Sequence, residues 1–466
     1  MSFNSWEFYF FITIFLFFYS IFLKKELQRN ILFLVGSYVF YMSWNWKYAG
    51  LIAFSTLLDY FIGRVLNITT DKNKRKLLLI TSVCVNLGLL CIFKYYNFFI
   101  DAGSELVSFF GFKLPSFHHQ LLLPVGISFY TFQTLSYTID LYRKKIPCEK
   151  DLIKYSIYVS FFPQLVAGPI VRAADLLPQL NRKPKVSPER VKNGIFLVFK
   201  GLLKKIVLAD LLAGLAVDRV FVTPSEFSSI DLLVALYAYT FQIYYDFSGY
   251  SDIAIGLGSM LGFNIPQNFN RPYLSKSIRE FWTRWHISLS KWIRDYLYVS
   301  LGGNRVSPIR MKINLMITML LAGLWHGAAY NFVLWGGYHG VLLISERLGY
   351  KIFPIFSYRN DVIKQIKCFH LVVFGWLLFR VQDMETFLQY INGILKIEIG
   401  SVFHPFFYFI LFCSIIFHLF PKRLISKLQH LIIQQNSFVQ ATLYSLLLIF
   451  FSGMTLGAPN FIYFQF

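Results

Sequence analysis

The chain has 466 residues, of which 56% are hydrophobic, 19% aromatic and only 15% charged. Soluble domains carry roughly 25% charged residues, so this composition excludes a soluble protein. The formal net charge is +21, but an excess of Lys and Arg is typical of the cytoplasmic loops of membrane proteins. We therefore expect membrane lipid around the protein and no nucleic-acid partner.

Apolar runs long enough to cross a hydrocarbon layer about 30 Å thick recur along the chain. The predicted runs are 6–23, 31–46, 48–66, 77–93, 121–139, 193–217, 231–258, 313–329, 331–346, 366–380, 402–420 and 437–454. They predict an all-α, polytopic integral membrane protein with about eleven transmembrane helices. No hydrophilic stretch is long enough for a separate soluble domain, so residues 1–466 are expected to form a single integral membrane domain.

Basic clusters set the predicted orientation of these runs. Lys24, Lys25 and Arg29 follow the first run, and positive residues concentrate on the cytoplasmic side of helical membrane proteins. The N-terminus is therefore expected outside. The strongly basic stretch 271–312 is expected in the cytoplasm.

The apolar run 152–171 does not fit the predicted orientation as a membrane crossing, because basic residues that favour the cytoplasm both precede and follow it. The run contains Pro163, Gly168 and Pro169, which interrupt helices and are tolerated at membrane depth only where protein or a cavity surrounds the backbone. We expect a re-entrant segment here rather than a crossing.

His326 lies in the otherwise uncharged run 313–329. An ionisable group in such a helix is costly and usually faces a cavity or a pathway. Imidazole titrates near neutrality, which suits it to take a proton from a hydroxyl group. A neutral imidazole hydrogen-bonded between packed helices is the alternative, and the flanking Gly323 and Gly327 mainly indicate helix packing.

His286 lies within 279–296, where a period of about 100° per residue gathers apolar residues on one stripe and places Arg284, Lys291 and Asp295 opposite. The pattern predicts one amphipathic helix, with His286 at the edge of its apolar face and turned toward protein or lipid. On its own, such a helix is most typical of an element that lies in the membrane interface.

Two carboxylates, Asp246 and Asp252, lie in or near the run 231–258, beside the hydroxyl groups of Ser248 and Tyr250. Buried acids need partners, so a structural ion-pair role is expected for them. The candidate partners are Arg271, Arg279 and Arg284.

The Gly302–Arg305 stretch is expected to form a turn, around which basic groups could attract a phosphate-bearing ligand. No P-loop, GxGxxG, GxSxG, HExxH or paired CxxC motif is present. Their absence argues against the usual nucleotide, hydrolase and zinc sites, so no metal or bound cofactor is expected.

Five segments together resemble a known family. They are PVGISFYTFQTLSYTIDLYR (124–143), FFPQLVAGPIVR (161–172), YYDFSGYSDIAIGLGSMLGF (244–263), FWTRWHISLSKWIRDYLYVSLGGNR (281–305) and LLAGLWHGAAYNFVLWGGYHG (320–340). Over about residues 1–455 the chain is similar to the membrane-bound O-acyltransferases, in particular to their bacterial alginate O-acetyltransferase and D-alanyl transfer branch, with core motifs in 121–346. The order and spacing of the two histidine motifs are highly specific.

The resemblance implies a fold of about eleven transmembrane helices with re-entrant segments around a central funnel, in the bacterial cytoplasmic (inner) membrane. It also implies that His326 and His286 are the catalytic histidines. The same motifs supply residues expected to line or support the funnel: Trp325, Trp285, Arg284, Asp246, Ser248, Tyr250 and Asp252.

The implied activity passes an acetyl group from a cytoplasmic thioester, acetyl-CoA or an acyl-phosphopantetheine carrier, across the membrane for O-acetylation of an alginate-like polysaccharide or peptidoglycan. Acyl transfer needs a base for the acceptor hydroxyl and a site that excludes water, and a histidine in an apolar tunnel meets both needs. The chain contains no esterase-like Ser-His-Asp domain. The resemblance therefore implies a periplasmic partner of that type, which completes the acetylation.

Three alternatives stay open. D-alanyl transfer to teichoic acid from a carrier protein is the alternative within the same enzyme class. A glycan transporter would share the many spans and the intramembrane histidine, but it should show internal repeats, and we find none. A scaffolding protein would tolerate the loss of both histidines.

Overall fold

The computed structural model describes residues 1–112, 118, 122–349 and 360–454. Within these ranges all regular secondary structure is helical, which confirms the predicted all-α class. The start of the predicted run 121–139 and the C-terminal end of the predicted domain lie outside the described residues. The chain divides into two compact units, Met1–Lys185 with Gly327–Ala329 and Val186–His326 with Tyr330–Phe466. The single integral domain stays a prediction.

Eight α-helices form the described part of the first unit. They are α1 (Trp6–Phe22), α2 (Glu26–Asn45), α3 (Ala49–Ile68), α4 (Lys72–Leu90), α5 (Tyr96–Phe109), α6 (Ile127–Tyr142), α7 (Leu152–Ser160) and α8 (Ala173–Leu180). Three begin at side chains that accept hydrogen bonds from first-turn amides. Ser5 Oγ accepts from Phe8 N at 3.3 Å, Asp71 Oδ1 from Lys74 N at 2.7 Å, and Asp151 Oδ1 from Ile153 N at 2.8 Å. The five predicted runs in this part of the chain overlap α1 to α4 and α6.

The apolar run 152–171 does not form a helix of membrane length. Helix α7 ends at Ser160, and the following residues 161–171 are buried but not helical. Some of their backbone amides donate hydrogen bonds inside the first unit: Phe162 N donates to Ser37 Oγ at 3.2 Å, and Gly168 N to Gln164 O at 3.0 Å. Such irregular backbone is compatible with membrane depth because protein surrounds it. The break agrees with the helix-interrupting residues of this run, and the re-entrant path stays a prediction.

Twelve α-helices form the described part of the second unit. They are α9 (Pro188–Leu202), α10 (Asp218–Val222), α11 (Ser229–Met260), α12 (Ile278–Arg284), α13 (Ile287–Trp292), α14 (Pro308–His326), α15 (Tyr330–Leu348), α16 (Asp361–Arg380), α17 (Met384–Leu395), α18 (Pro405–Leu419), α19 (Lys422–Gln434) and α20 (Ser437–Met454). Wider π-helical turns continue α9 over Leu203–Asp210 and α13 over Ile293–Tyr298. Each predicted run from 193 onward coincides with a helix.

Glycine lets α14 and α15 pack closely. A Cβ atom at Gly323 would lie 2.1 Å from the carbonyl oxygen of Phe332, and one at Gly336 would lie 2.3 Å from that of Met319. Both distances are far below a van der Waals contact, so any side chain at either position would separate the helices. The predicted packing role of Gly323 is thereby confirmed. Because His326 lies three residues further along α14, this packing also places the imidazole.

Several helices are long and apolar enough to cross a membrane. Within the described residues there are four candidates, Glu26–Ile68, Lys72–Phe109, Asp361–Arg380 and Ser437–Met454. A fifth candidate is the pair α18 and α19, which bends by 95°. The predicted number of about eleven spans stays a prediction.

Candidate active site

One face of α14 forms a wall of a cavity of about 770 Å³. The wall residues recur at intervals of three and four positions, as one face of a helix requires. They are Leu315, Thr318, Met319, Ala322 and His326. The helix is uncharged from 313 to 325, so His326 is the one ionisable group that this face brings to the cavity.

Other walls of the cavity come from α12, α13, α15 and the stretch between α13 and α14. Among the described residues that line it, five are Lys or Arg and none is Asp or Glu. The five are Arg279, Lys291, Arg294, Arg305 and Arg347. Lys291 and Arg305 are exposed, whereas His326 is only 4% exposed. The cavity therefore connects exposed cations with a buried imidazole.

The predicted turn at Gly302–Arg305 is confirmed and forms part of this wall. Gly302 and Gly303 have φ of +108° and +56°, a region that favours glycine. The turn also holds an arginine, because Asn304 Oδ1 accepts hydrogen bonds from the Tyr298 hydroxyl at 2.7 Å and from Arg347 Nη1 at 2.9 Å. The turn thus positions cationic groups beside the cavity.

Aromatic rings surround His326 away from the cavity. Trp325, Trp335 and Phe379 pack edge-on against the imidazole, with ring centroids 5.0, 5.1 and 5.2 Å away. Their apolar surfaces exclude water from that side and restrict the ring to a narrow range of orientations. An imidazole held in this way can act as a base on a group that enters from the cavity.

The predicted single helix over 279–296 is wrong at its centre. Helix α12 ends at Arg284, α13 begins at Ile287, and His286 between them has a left-handed backbone with φ 42° and ψ 55°. That conformation costs a non-glycine residue on the order of 1–3 kcal/mol. A hydrogen bond from Ile287 N to Asn268 O, at 2.9 Å, ties the break to the preceding loop and helps to hold it.

Asn268 also holds the His286 side chain, which is fully buried and therefore turned away from water, as predicted. His286 Nδ1 lies 3.2 Å from Asn268 Oδ1. The same oxygen accepts from Ser288 N at 3.1 Å and from Ser288 Oγ at 2.9 Å, so we assign it as the amide oxygen and Nδ1 as the donor. A neutral imidazole with its proton on Nδ1 carries its acceptor lone pair on Nε2.

The structure brings both histidines to one tryptophan. The ring centroid of Trp325 lies 6.2 Å from that of His286 and 5.0 Å from that of His326. Trp285 is buried in a neighbouring aromatic cluster, where its ring centroid lies 4.7 Å from that of Trp376. Arg284 instead pairs with Glu280 one helical turn earlier. The tryptophans therefore form the surroundings of the histidines, whereas the Arg284 side chain is held by an ion pair within α12.

The carboxylates of α11 have lysine partners, so the expected arginine partners are wrong. Asp246 Oδ1 lies 2.7 Å from Lys205 Nζ, and Asp252 Oδ2 lies 2.7 Å from Lys204 Nζ and 3.1 Å from Lys200 Nζ. The expected partners are engaged elsewhere or line the cavity: Arg271 donates to backbone carbonyls of α18, Arg284 pairs with Glu280, and Arg279 is a cavity residue. Ser248 Oγ accepts from Lys204 at 3.2 Å, and Tyr250 is buried.

Two contributions were missed from the sequence. The lysines 200, 204 and 205 lie in the apolar run 193–217, where charged groups should have indicated the need for counter-charges. The sequence does not mark Asn268 in a comparable way. Its role depends on the fold, which brings the loop before α12 into contact with His286. Within the described residues, no cluster of three or more His, Cys, Asp or Glu could hold a metal ion.

Comparison with known proteins gives this arrangement a context. The membrane-bound O-acyltransferase family matches residues 148–384, which include both histidines. The probable alginate O-acetylase AlgI of Pseudomonas aeruginosa is 44% identical over 83% of this chain and 73% of its own length. The peptidoglycan O-acetyltransferase of Helicobacter pylori is 32% identical over 82% of this chain and 76% of its own length.

A more distant relative is the teichoic acid D-alanyltransferase of Bacillus subtilis, which is 28% identical over 56% of this chain and 69% of its own length. The family match, the extent of these similarities and the membrane-length apolar helices agree with one another. This chain is a multi-pass membrane acyltransferase and belongs to the membrane-bound O-acyltransferase family.

Proposed function

We propose that this protein takes an acetyl group from a cytoplasmic thioester and passes it on for O-acetylation of an extracytoplasmic polysaccharide. The observation that carries the proposal is the cavity in which buried His326 shares its walls with five cations. Relatives named for alginate and peptidoglycan O-acetylation support the acetyl group and the polysaccharide. Alginate-like polymers and peptidoglycan are both final acceptors within this proposal.

His326 is the proposed general base. It takes the proton of the acceptor hydroxyl while that oxygen attacks the thioester carbonyl carbon. The tetrahedral intermediate then expels the thiolate, and the imidazolium returns its proton to the sulfur. An ester forms, a thioester breaks, and the histidine regains its initial state. The apolar rings around His326 reduce competing hydrolysis by limiting the access of water.

His286, whose ring centroid lies 6.2 Å from that of Trp325, is proposed to support this step. Its assigned tautomer offers the Nε2 lone pair as an acceptor. The strained backbone at His286 fits such a role, because strain of this kind is concentrated at functional sites. Trp285, Ser248, Tyr250 and the two ion-paired aspartates are proposed to support the fold around the site.

The cations of the cavity are proposed to bind the phosphates of the donor. Both acetyl-CoA and a phosphopantetheine carrier present phosphate groups at the end of a long arm that carries the thioester. Arginine and lysine bind phosphate through charge-assisted hydrogen bonds. A volume of about 770 Å³ lies within the range of roughly 300–1,000 Å³ that is usual for small-molecule sites.

The wider setting follows from the same proposal. The protein lies in the bacterial inner membrane with its N-terminus outside, so that the basic stretch 271–312 meets the cytoplasmic donor. A periplasmic acetyltransferase of the Ser-His-Asp type is proposed to receive the acetyl group and to complete transfer to the polymer. D-alanyl transfer is the second candidate, because a relative with that name is similar over about half of this chain.

Permeabilised cells that contain the native acceptor and partner would test this proposal. They are supplied either with acetyl-labelled acetyl-CoA or with a labelled D-alanyl carrier. We expect label from acetyl-CoA in polysaccharide esters, and a decrease of at least about 100-fold with His326→Ala, as for loss of a general base. His430→Ala is a matched control, because His430 is exposed on α19 and does not line the cavity.

Three outcomes would contradict parts of the proposal. Label from the D-alanyl carrier but not from acetyl-CoA would replace the acetyl donor with the alternative. Unchanged labelling with His326→Ala would remove this histidine as the base. Unchanged esters combined with a loss of polymer export would favour a transporter.

A further inference from the structure

A second cavity, of about 260 Å³, lies elsewhere in the second unit. It is formed by α9 with its π-helical continuation, by α11, by the loop before α12 and by the bend between α18 and α19. None of the described residues that line it also lines the cavity of His326. The second cavity is therefore a separate candidate site. Its wall includes Asn268, which holds His286, and Ser248 and Asp252, which are proposed to support the fold, but the acyl-transfer proposal places no ligand in it.

The charge around this cavity is unbalanced. Four of its described lining residues are cations and one is an acid. The acid, Asp252, already pairs with Lys204 at 2.7 Å and with Lys200 at 3.1 Å. The remaining cations are Arg271 and Lys422, and no carboxylate of the described residues forms an ion pair with either. An anion would complete the charge balance of the cavity.

Arg271 and Lys422 are held at this cavity by the bend between α18 and α19. The Arg271 guanidinium donates to the carbonyl oxygens of His418 at 3.2 Å and Leu419 at 2.6 Å, which cap the end of α18. These carbonyls are neutral, so the bonds orient the guanidinium without cancelling its charge. Lys422 is the first residue of α19, directly after the bend, and lines the same cavity.

A buried side chain without a partner points to a ligand in the same cavity. His418 is 4% exposed and lines the cavity, yet neither of its ring nitrogens has a hydrogen-bond partner within the described residues. The rings of Tyr244 and Tyr273 pack against it at centroid distances of 4.8 and 5.2 Å. An unsatisfied buried imidazole is costly unless a ligand or water bonds to it.

We propose that this cavity binds a phosphate group, with Arg271, Lys422 and His418 as its ligands. Phosphate offers several strong acceptor oxygens and up to two negative charges, which suits two cations and an N–H donor. The phosphate can belong to the headgroup of an anionic phospholipid or to a soluble phosphate compound. Both sources present the same chemistry to the three side chains.

The melting temperature of the purified, delipidated full-length protein in a neutral detergent tests this site without measuring acyl transfer. Tryptophan fluorescence can report unfolding, because the chain has nine tryptophans. The probes are phosphatidylglycerol, phosphatidylcholine with the same acyl chains, and inorganic phosphate against sodium chloride of equal ionic strength. We expect stabilisation by a phosphate probe, since a ligand that binds only the folded state raises the melting temperature.

The two sources give different results. Stabilisation by phosphatidylglycerol but not by inorganic phosphate or phosphatidylcholine assigns the site to an anionic lipid headgroup. Stabilisation by inorganic phosphate beyond that by sodium chloride shows that a soluble phosphate is sufficient. Equal effects of the two lipids, together with equal effects of phosphate and chloride, would overturn the proposal, as would no effect of any probe.

Lys422→Gln locates the binding, and Lys427→Gln is its matched control. Both lysines are exposed on α19, but only Lys422 lines the cavity. We expect Lys422→Gln to raise the ligand concentration for half-maximal stabilisation about tenfold, as for loss of one charge-assisted hydrogen bond. Lys427→Gln should leave that concentration unchanged. An equal loss with both variants, or with neither, would overturn the assignment of the site.

Discussion

At the scale of single residues, Asn268 determines which nitrogen of His286 carries the proton. Its side-chain oxygen lies 3.2 Å from Nδ1 and accepts two further hydrogen bonds from Ser288. Loss of this acceptor would free the imidazole to change tautomer and orientation. Asn268 is therefore a positioning residue for a histidine that we propose to support acyl transfer.

We expect Asn268→Ala to lower kcat about tenfold, which corresponds to roughly 1.4 kcal/mol, while the KM for the acyl donor stays close to that of the wild type. Asn264→Ala is the control, because Asn264 is exposed in the same loop. Steady-state kinetics in membranes measure both quantities. A rise in KM with unchanged kcat would contradict the positioning role.

Lys205 is a buried charged residue of the second unit that is paired with two buried carboxylates. Its ammonium group lies 2.7 Å from both Asp246 and Asp210, and all three side chains are buried. We expect Lys205→Met to destabilise the protein by about 3–5 kcal/mol, because it leaves buried carboxylates without a counter-charge.

The melting temperature of the solubilised protein measures this effect. Lys205→Met combined with Asp246→Asn and Asp210→Asn should recover much of the stability, since the uncompensated charges are then removed. If the Lys205→Met protein has the same melting temperature as the wild type, the ion pairs contribute little to stability.

At the scale of helices, the two adjacent glycines Gly336 and Gly337 of α15 differ in how closely they approach α14. A Cβ atom at Gly336 would lie 2.3 Å from the Met319 carbonyl oxygen, whereas one at Gly337 would lie 3.5 Å from the Leu320 side chain. We expect Gly336→Ala to separate the helices, displace His326 and lower transfer activity at least about tenfold. Gly337→Ala should be neutral or stabilising by up to about 1 kcal/mol, because alanine favours helix.

Activity and melting temperature of the two variants provide the measurement. The variants differ by one position and carry the same added methyl group, so composition and expression are closely matched. Equal behaviour of the two would contradict the close helix contact.

The break at His286 shows what helical periodicity can and cannot predict. The pattern over 279–296 correctly placed His286 away from water, because polarity alone determines that choice. It failed to predict the break, since the hydrogen bond from Ile287 N to Asn268 O involves a loop outside the pattern. The apolar runs, in contrast, were predictable, because the length and polarity of a helix depend only on contiguous residues.

At the scale of the whole molecule, the sequence alone could indicate the two histidines but not the ion pairs between residues far apart in the chain. His326 and His286 were identified from contiguous motifs. The lysine partners of the α11 carboxylates were not, since Lys205 and Asp246 are 41 positions apart and Lys204 and Asp252 are 48 apart. A basic stretch identifies an attractive surface for phosphate, but only the fold shows which cations share a cavity with a histidine.

The cations of the larger cavity should affect donor binding through charge. We expect Arg305→Gln to raise the KM for the donor several-fold at low salt, and the difference from the wild type to shrink in about 1 M salt, where the Debye length is about 3 Å. Arg310→Gln is the control, because Arg310 is exposed nearby but does not line the cavity. Equal effects of the two substitutions would indicate a general charge effect instead.

In the proposed mechanism, His326 is the base of the acyl-transfer step on which O-acetylation of a surface polymer depends. The most direct test measures acetyl esters in the polysaccharide and peptidoglycan of cells that carry the wild type or His326→Ala at equal membrane abundance. We predict that esters disappear from one polymer, which would identify both the activity and its acceptor. Unchanged esters in every polymer would contradict the claim and would favour the D-alanyl, transport or scaffolding alternatives.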